Sequence, residues 1–312
     1  MPDSYVHRRF AAGLTDRLTP AAIALITADE DCFLVGSLGP DPLFAHRFWK
    51  PFAPDSTREL GSVLHTRDTG AFAKALLQAA ADDVPSTRAW ALGYLCHVAA
   101  DSSIHPYVYA LTGIANDRPF RGGHFALEAA WESLYYHQDH PDQRCPVPPP
   151  SRELADLSEG ARQAIGRVVS AAAAVSHGAL VPAGDISQSI GHMATLNGLL
   201  SSPHGGKHAL ARALEALSGQ RGALATHFAP RRLPADDPLN LEHRTWHSPW
   251  EPDRARSESV PELYRAGEAL AVSSLNAAAD FFTGAMSLED AMAVIGNRSL
   301  HSGLDSSTGR AE

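Results

Sequence analysis

The sequence is poor in cysteine, in long apolar runs, in positive charge and in strand-like alternation. Three cysteines occur in 312 residues: Cys32, Cys96 and Cys145. An odd number with no metal-type CxxC spacing argues against a disulfide framework. No run approaches the roughly 20 apolar residues that span a bilayer, so no transmembrane segment is expected. The start, "MPDSYVHRRFAAGL", shows no basic segment followed by an apolar one, so no signal peptide is expected. The default compartment is the cytoplasm, and leaderless export is compatible with the same start. Lys plus Arg is 26 against 35 for Asp plus Glu, a net charge of −9. That balance argues against broad, salt-driven binding to nucleic acid, and no stable nucleic-acid partner is expected. It leaves room for a local basic pocket that takes a phosphate. Period-2 patterns are almost absent. Neither a Ser-His-Asp arrangement nor a Gly-rich phosphate loop is present.

What is there is helical. The chain is 44% apolar and 20% charged, ordinary for a globular protein long enough to bury a sizeable core. Residues 10–30 read as one or two helices, with Thr19-Pro20 as cap and first-turn pair. "FLVGSLGPDPLF" (33–44) reads as a loop or helix break, because Pro42 biases Asp41 away from the α region. A helix is expected over about 56–82. Another begins near Ser86 and has its end near His105, ahead of Pro106. "GGHFALEAAWESLYYH" reads as a helix opened by Gly122-Gly123. "DQRCPVPPPSREL" is too Pro-rich for a helix. Helical segments follow near 152–176, 185–200, 207–218 and 260–283. A polar loop containing "RTWHSPWEPDRARS" precedes the last of these, and "GNRSLHSGLDSSTGRAE" is expected to fray. The expectation is one all-α domain over residues 1–312. It divides into a metal-ligand half (1–141), a Pro-rich loop (142–151), a helical remainder (152–300) and a tail (301–312).

The chemistry concentrates in "LCHVAADSSIHPYV" (95–108). His97, Asp101 and His105 stand at four-residue intervals, so successive pairs are about 40° apart around a helix and about 6 Å apart along it. Two imidazoles and a carboxylate on an apolar stripe suit a cation, and Asp101 could bridge two ions through its two oxygens. "HFALE" repeats the geometry with His124 and Glu128. These are ligands of the kind zinc takes. There are 16 histidines, and most histidines bind nothing. Asp101 could instead cap a helix end, and Glu128 could pair with Arg121 or face water. The two His-xxx-acid pairs together favour metal, because burying Asp101 without a cation or a full set of hydrogen bonds is costly.

At this point the chain resembles the bacterial zinc-dependent phospholipase C family. That family shares its fold with the catalytic domain of clostridial alpha-toxin and with zinc nucleases acting on single strands. "SYVHRRFA", "GSLGPDPLF", "LHTRDTGAF", "LGYLCHVAADSSIHPYV" and "HFALE" carry the resemblance, over roughly residues 1–130, toward the leaderless branch. "LNLEHRTWHSPW" and "IGNRSLHSG" are weaker late matches. The resemblance implies a multi-helix bundle around a buried cluster of two or three Zn2+ ions. One ion would take Asp41, His65, His97 and Asp101. A second would take His105, His124 and Glu128. A third would take His7 and share Asp101. Asp41 matches the aspartate assigned as general base or as orienter of the attacking water.

Two departures stand out. Secreted members begin with a tryptophan whose amine and carbonyl bind the third metal, whereas His7 here follows Met1 by six residues. His46 is a candidate to complete that site, with a surface role at least as good a reading. The secreted enzymes also space the bridging aspartate and the next histidine by six residues, against four between Asp101 and His105. His137 and His140 read as solvated. Arg231 and Arg232 read as surface residues before phosphate contacts, and Trp246 and Trp250 either cover a pocket or pin their loop.

The resemblance implies a zinc-dependent phosphodiester hydrolase, phospholipase C-like, in which metal-activated water attacks phosphorus. Its partner is a phosphodiester substrate, which a phospholipid headgroup or a soluble ester would satisfy. The alternatives are a single-strand nuclease or nucleotidase on the same scaffold, and a non-catalytic metal-stabilised binding domain. The acidic chain and the lack of interleaved aromatic and basic residues count against the nuclease. Neither substrate nor oligomeric state is legible.

Overall fold

The computed structural model describes residues 4–113, 123–219, 222, 224–234 and 236–307. Arg121 and Gly122, named above, lie outside the described residues. Along the chain run α1 (Ser4–Ala12), α2 (Pro20–Thr27), α3 (Glu30–Gly36), α4 (Ser56–Thr66), α5 (Thr69–Ala81) and α6 (Pro85–Thr112). They continue as α7 (Gly123–Asp139), α8 (Arg152–Asp156), α9 (Glu159–His177), α10 (Ala183–Leu200), α11 (Gly206–Ser218), α12 (Val260–Phe282) and α13 (Leu288–Ile295). Among the described residues the fold is all-α apart from one small hairpin. Helix starts follow capping chemistry: Thr19 accepts from the Ala22 amide at α2, Asp55 from Thr57 and Arg58 at α4, and Ser287 from Asp290 at α13. No helix among the described residues is long and apolar enough to cross a membrane.

The chain forms two compact units. One comprises Met1–Val6, Pro106–Ser151 and Ala194–Leu263; the other comprises His7–His105, Arg152–Met193 and Tyr264–Glu312. In the first, Tyr107 stacks on Trp131, and the Trp131 indole donates to the Pro238 carbonyl at 3.1 Å. The segment read as a polar loop contains an antiparallel hairpin, β1 (Trp246–Ser248) and β2 (Glu251–Arg256). Arg256 covers the Trp246 ring at 4.3 Å, and the indole donates to the Glu258 carbonyl. So Trp246 pins this segment from a buried position. The strands were illegible because Pro249 and Pro252 interrupt any alternation.

In the second unit Leu14, Val35, Leu64, Phe72, Leu77, Leu92 and Tyr94 form a core closed to water. α5 packs along α9, with α13 against α5. Where 56–82 was expected as one helix, there are two. Asp68 turns left-handed between them (φ +41°), and Asn297 Oδ1 receives the freed Gly70 amide at 2.8 Å. α6 does not end at His105 but runs through Pro106 to Thr112. Proline leaves the Ser102 carbonyl without its helical donor. The helix persists because Tyr107 and Val108 beyond it are buried. The segment expected to fray is instead built into this unit over residues 297–306, with the Ser306 amide donating to the Asn297 carbonyl at 2.9 Å. Residues 308–312 lie outside the described residues.

α3 and α6 meet at two glycines. A Cβ on Gly36 would fall 2.3 Å from the Trp90 carbonyl oxygen, and one on Gly93 2.1 Å from that of Phe33. This backbone contact sets α6 against the turn that follows α3. Gly93→Ala is therefore expected to lower stability by about 1–3 kcal/mol, the usual range for overpacking. Chemical denaturation of both proteins would measure it, and an unchanged midpoint would show that the crossing can open freely.

Candidate metal centre

Five segments of the second unit deliver the candidate ligands. α1 carries His7, a 3-10 turn over Asp41–Ala45 begins with Asp41, α4 carries His65, and α6 carries His97, Asp101 and His105. Residues 297–306 supply a backbone carbonyl. All six side chains are buried. The ligating atoms of His7, His97 and Asp101 lie within 4.8 Å of one another, as do those of Asp41, His65 and His97. The two groups share His97.

Asp101 sits between rings. Its Oδ1 is 3.5 Å from His7 Nε2, and its Oδ2 is 3.0 Å from His97 Nε2 and 3.5 Å from His105 Nδ1. Asp41 Oδ1 lies 3.1 Å from His65 Nε2. The two oxygens of Asp101 thus let one carboxylate face three imidazoles, two of which the four-residue spacing on one helix stripe makes reachable.

The backbone decides which nitrogen carries the proton. His65 Nδ1 is 2.6 Å from the Gly61 carbonyl, His97 Nδ1 3.2 Å from that of Ser37 and His105 Nδ1 2.8 Å from that of Leu300. A carbonyl oxygen can only accept, so each Nδ1 donates. In the neutral ring the lone pair is then on Nε2. For His65 and His97 that lone pair faces a carboxylate oxygen about 3 Å away, an arrangement that a cation or an added proton must reconcile. His97 Nε2 is buried and makes no hydrogen bond. An orphaned buried nitrogen beside a buried carboxylate, with its partner nitrogen tied to the backbone, is the donor arrangement of a histidine zinc ligand. The set of imidazoles and carboxylates fits zinc.

Charge agrees with geometry. Burial alone would raise the pKa of Asp41, but the hydrogen bond from His65 and the charges of His97 and His65 outweigh it and hold the group at about 2. Burial opposes ionisation of Asp101 as well, and His105, His97 and His7 together draw its pKa below the usual carboxylate range. Burial would lower His65, yet Asp41 raises it above its ordinary 6.5.

Gly39 explains how the turn approaches α6. Its φ is +53°, and a Cβ there would lie 2.3 Å from His97 Cδ2. Only glycine combines that conformation with that clearance.

The remaining candidates distribute as follows. His124 and Glu128 lie on α7 in the other unit, with His124 Nε2 2.7 Å from Glu128 Oε1. His46 is not brought to the cluster: its Nδ1 lies 3.0 Å from both Asp55 oxygens. His140 is exposed against Tyr136, and Arg231 and Arg232 are exposed. Trp250 packs edge-on against Tyr109. Sequence reasoning missed the orienting carbonyls of Ser37, Gly61 and Leu300, since any residue type supplies one. It also missed His301, whose ring lies 5.7 Å from that of His65 and 5.9 Å from that of His105. The late "IGNRSLHSG" was the available signal.

Gly39→Ala is expected to weaken zinc binding by about 10–100-fold, as disturbed ligand orientation does elsewhere. Competition with a chromogenic chelator would read it, and unchanged affinity would mean that His97 can shift without consequence. Protons and metal compete for the same nitrogens. Because the His65 pKa lies above 6.5, affinity is expected to start falling above that pH as acid is added and to keep falling through the imidazole range. A chelator titration that is flat across this range would count against imidazole ligation.

No curated protein and no solved structure matches this chain. The family model described as zinc dependent phospholipase C matches residues 6–164, which include all the candidate ligands named above. With this match over half its length, the chain belongs to the zinc-dependent phospholipase C family.

Proposed function

We propose that the chain is a zinc-dependent phosphodiester hydrolase of the phospholipase C type. The carrying observation is His97, whose buried Nε2 lacks a hydrogen bond and faces Asp101 while its Nδ1 is tied to the Ser37 carbonyl. His7, Asp41, His65, His97 and Asp101 would hold ions in the interior, with Asp101 shared. The assignment of His105, His124 and Glu128 as further ligands rests on their four-residue spacing on α6 and α7 and on the resemblance. Zinc, when bound, supplies a Lewis acid for phosphoryl oxygens and lowers the pKa of a nearby water.

The protein groups have separable tasks. Asp41 lies with Oδ1 3.1 Å from His65 Nε2, and as a carboxylate it would accept from a water and orient it. The backbone carbonyls hold the rings, and burial keeps bulk water from competing for the site. No nucleophilic side chain is required. The substrate is a phosphodiester, with a phospholipid the class the family description indicates.

The expected result is that metal-stripped protein given zinc takes up two or three ions and hydrolyses phosphatidylcholine or a chromogenic phosphodiester. Asp41→Asn is expected to lose about 100-fold or more in kcat, within the usual range for a positioned acid–base group. Full zinc loading without turnover on either substrate would favour a metal-stapled binding domain instead. Cleavage confined to single-stranded DNA would favour the nuclease reading.

A further inference from the structure

Residues 46–54 follow directly on the 3-10 turn that begins at Asp41. They expose Trp49, at 56%, and Phe52, at 92%, to solvent. Trp49 leans edge-on against His192 at 4.8 Å between ring centres. Nothing in the described fold covers Phe52. Leaving a phenylalanine this exposed forgoes the burial that normally rewards it.

The segment is held in place. Arg58 donates to the carbonyls of His46 (3.4 Å), Lys50 (3.2 Å) and Ala53. His46 is buried and lies against Asp55 at the far end of the segment. The Arg47 amide, on a residue at φ +46°, donates to His192 Nδ1 at 3.2 Å. The Lys50 amide donates to the Arg47 carbonyl at 2.8 Å. The aromatic tips are therefore presented by a braced turn, and little ordering entropy remains to be lost on contact.

Its charge is opposite to that of the chain. Residues 42–54 contain Arg47 and Lys50 and no acidic residue, in a protein of net charge −9. Lys50 is exposed, and Arg47 is half-exposed, 3.8 Å from Asp185. Exposed tryptophan and phenylalanine beside basic residues are the composition of a protein segment that sits at a lipid–water interface. The aromatic bodies enter the headgroup region while the cations meet anionic headgroups.

We infer that residues 46–54 form a membrane-docking surface that seats the protein on phospholipid bilayers containing anionic lipid. The inference rests on the phospholipase C reading for its purpose, since a bilayer-borne substrate must be met at its surface. It does not rest on that reading for its test.

The test is co-sedimentation of the full chain with vesicles of equal parts phosphatidylcholine and phosphatidylglycerol. The double variant Trp49→Ala/Phe52→Ala is expected to partition about tenfold more weakly or worse, as loss of two interfacial anchors implies. Lys50→Glu is expected to weaken binding to these vesicles but not to pure phosphatidylcholine. Trp49→Phe is expected to keep binding while losing part of the fluorescence quenching by brominated lipid. Circular dichroism and turnover of a soluble chromogenic phosphodiester are expected to be unchanged, within about twofold, in the double variant.

Wild-type protein that fails to sediment, or a double variant that sediments like wild type, overturns the inference. Recovery of the wild type only in complex with a second protein copy or a peptide overturns it as well. If vesicle binding depends on Trp49 and Phe52 but no phosphodiester is hydrolysed, docking stands and the catalytic reading falls. If the soluble ester is hydrolysed without vesicle binding, the catalytic reading stands and docking falls.

Discussion

Asp101 is a carboxylate taken almost wholly out of water and placed with its two oxygens toward His7, His97 and His105. A charge in that position is tolerable only with partners of opposite sign close by. The packing around α6 serves this placement. α6 must be buried to carry Asp101 inward, so its outer faces are apolar: Leu92, Tyr94, Leu95 and Ala99 are all closed to water. It must also lie close to α3, which the Gly36 and Gly93 crossing permits. Only then can the turn after α3 bring Asp41 toward His65 and Gly39 against His97.

Placement of a ligand is not enough; its ring must also be turned. Three carbonyls from three different surroundings perform this. Gly61 acts within α4 on the residue four positions later, Ser37 acts from the end of α3, and Leu300 acts from near the C-terminus. The last is the least local. Leu300 donates its amide to the His65 carbonyl at 2.8 Å and accepts from His105 Nδ1. One residue thereby spans two helices that carry candidate ligands. The start of its segment is fixed by Asn297, which receives the amide of Gly70 at the start of α5.

This explains what the sequence made legible. A histidine and a carboxylate four residues apart on an apolar helix are visible as a pattern, because helix periodicity alone puts them together. His97, Asp101 and His105 could be read that way. His7, Asp41 and His65 could not, since each meets the others only through tertiary packing, and their selection came from resemblance to a family. Helix positions were largely readable from capping residues and apolar content. Apart from the hairpin, whose alternation Pro249 and Pro252 hide, three misread places share a cause: tertiary contacts overrode a local rule. Pro106 should have ended α6, but the buried residues beyond it keep the helix going. The stretch 56–82 should have been one helix, but Asn297 compensates the break at Asp68. The polar, glycine-containing end should have frayed, but it carries the carbonyl that His105 requires.

The coupling of the late segment to the centre has an energetic consequence. The buried carboxylates and imidazoles oppose one another's desolvation only while their geometry is kept, and a bound cation would add its binding free energy to folding. Residues 297–306 are held by hydrogen bonds among Thr69, Asn297 and Ser306 and by Leu300, which is closed to water. The segment's link to His105 means that opening it would also release a ring from its fixed tautomer. Metal binding of the proposed kind and the packing of this segment would support each other, because both use one orientation of His105. The centre is in that sense assembled by the whole length of the second unit, from His7 on α1 to Leu300, and not by the His-xxx-Asp helix alone.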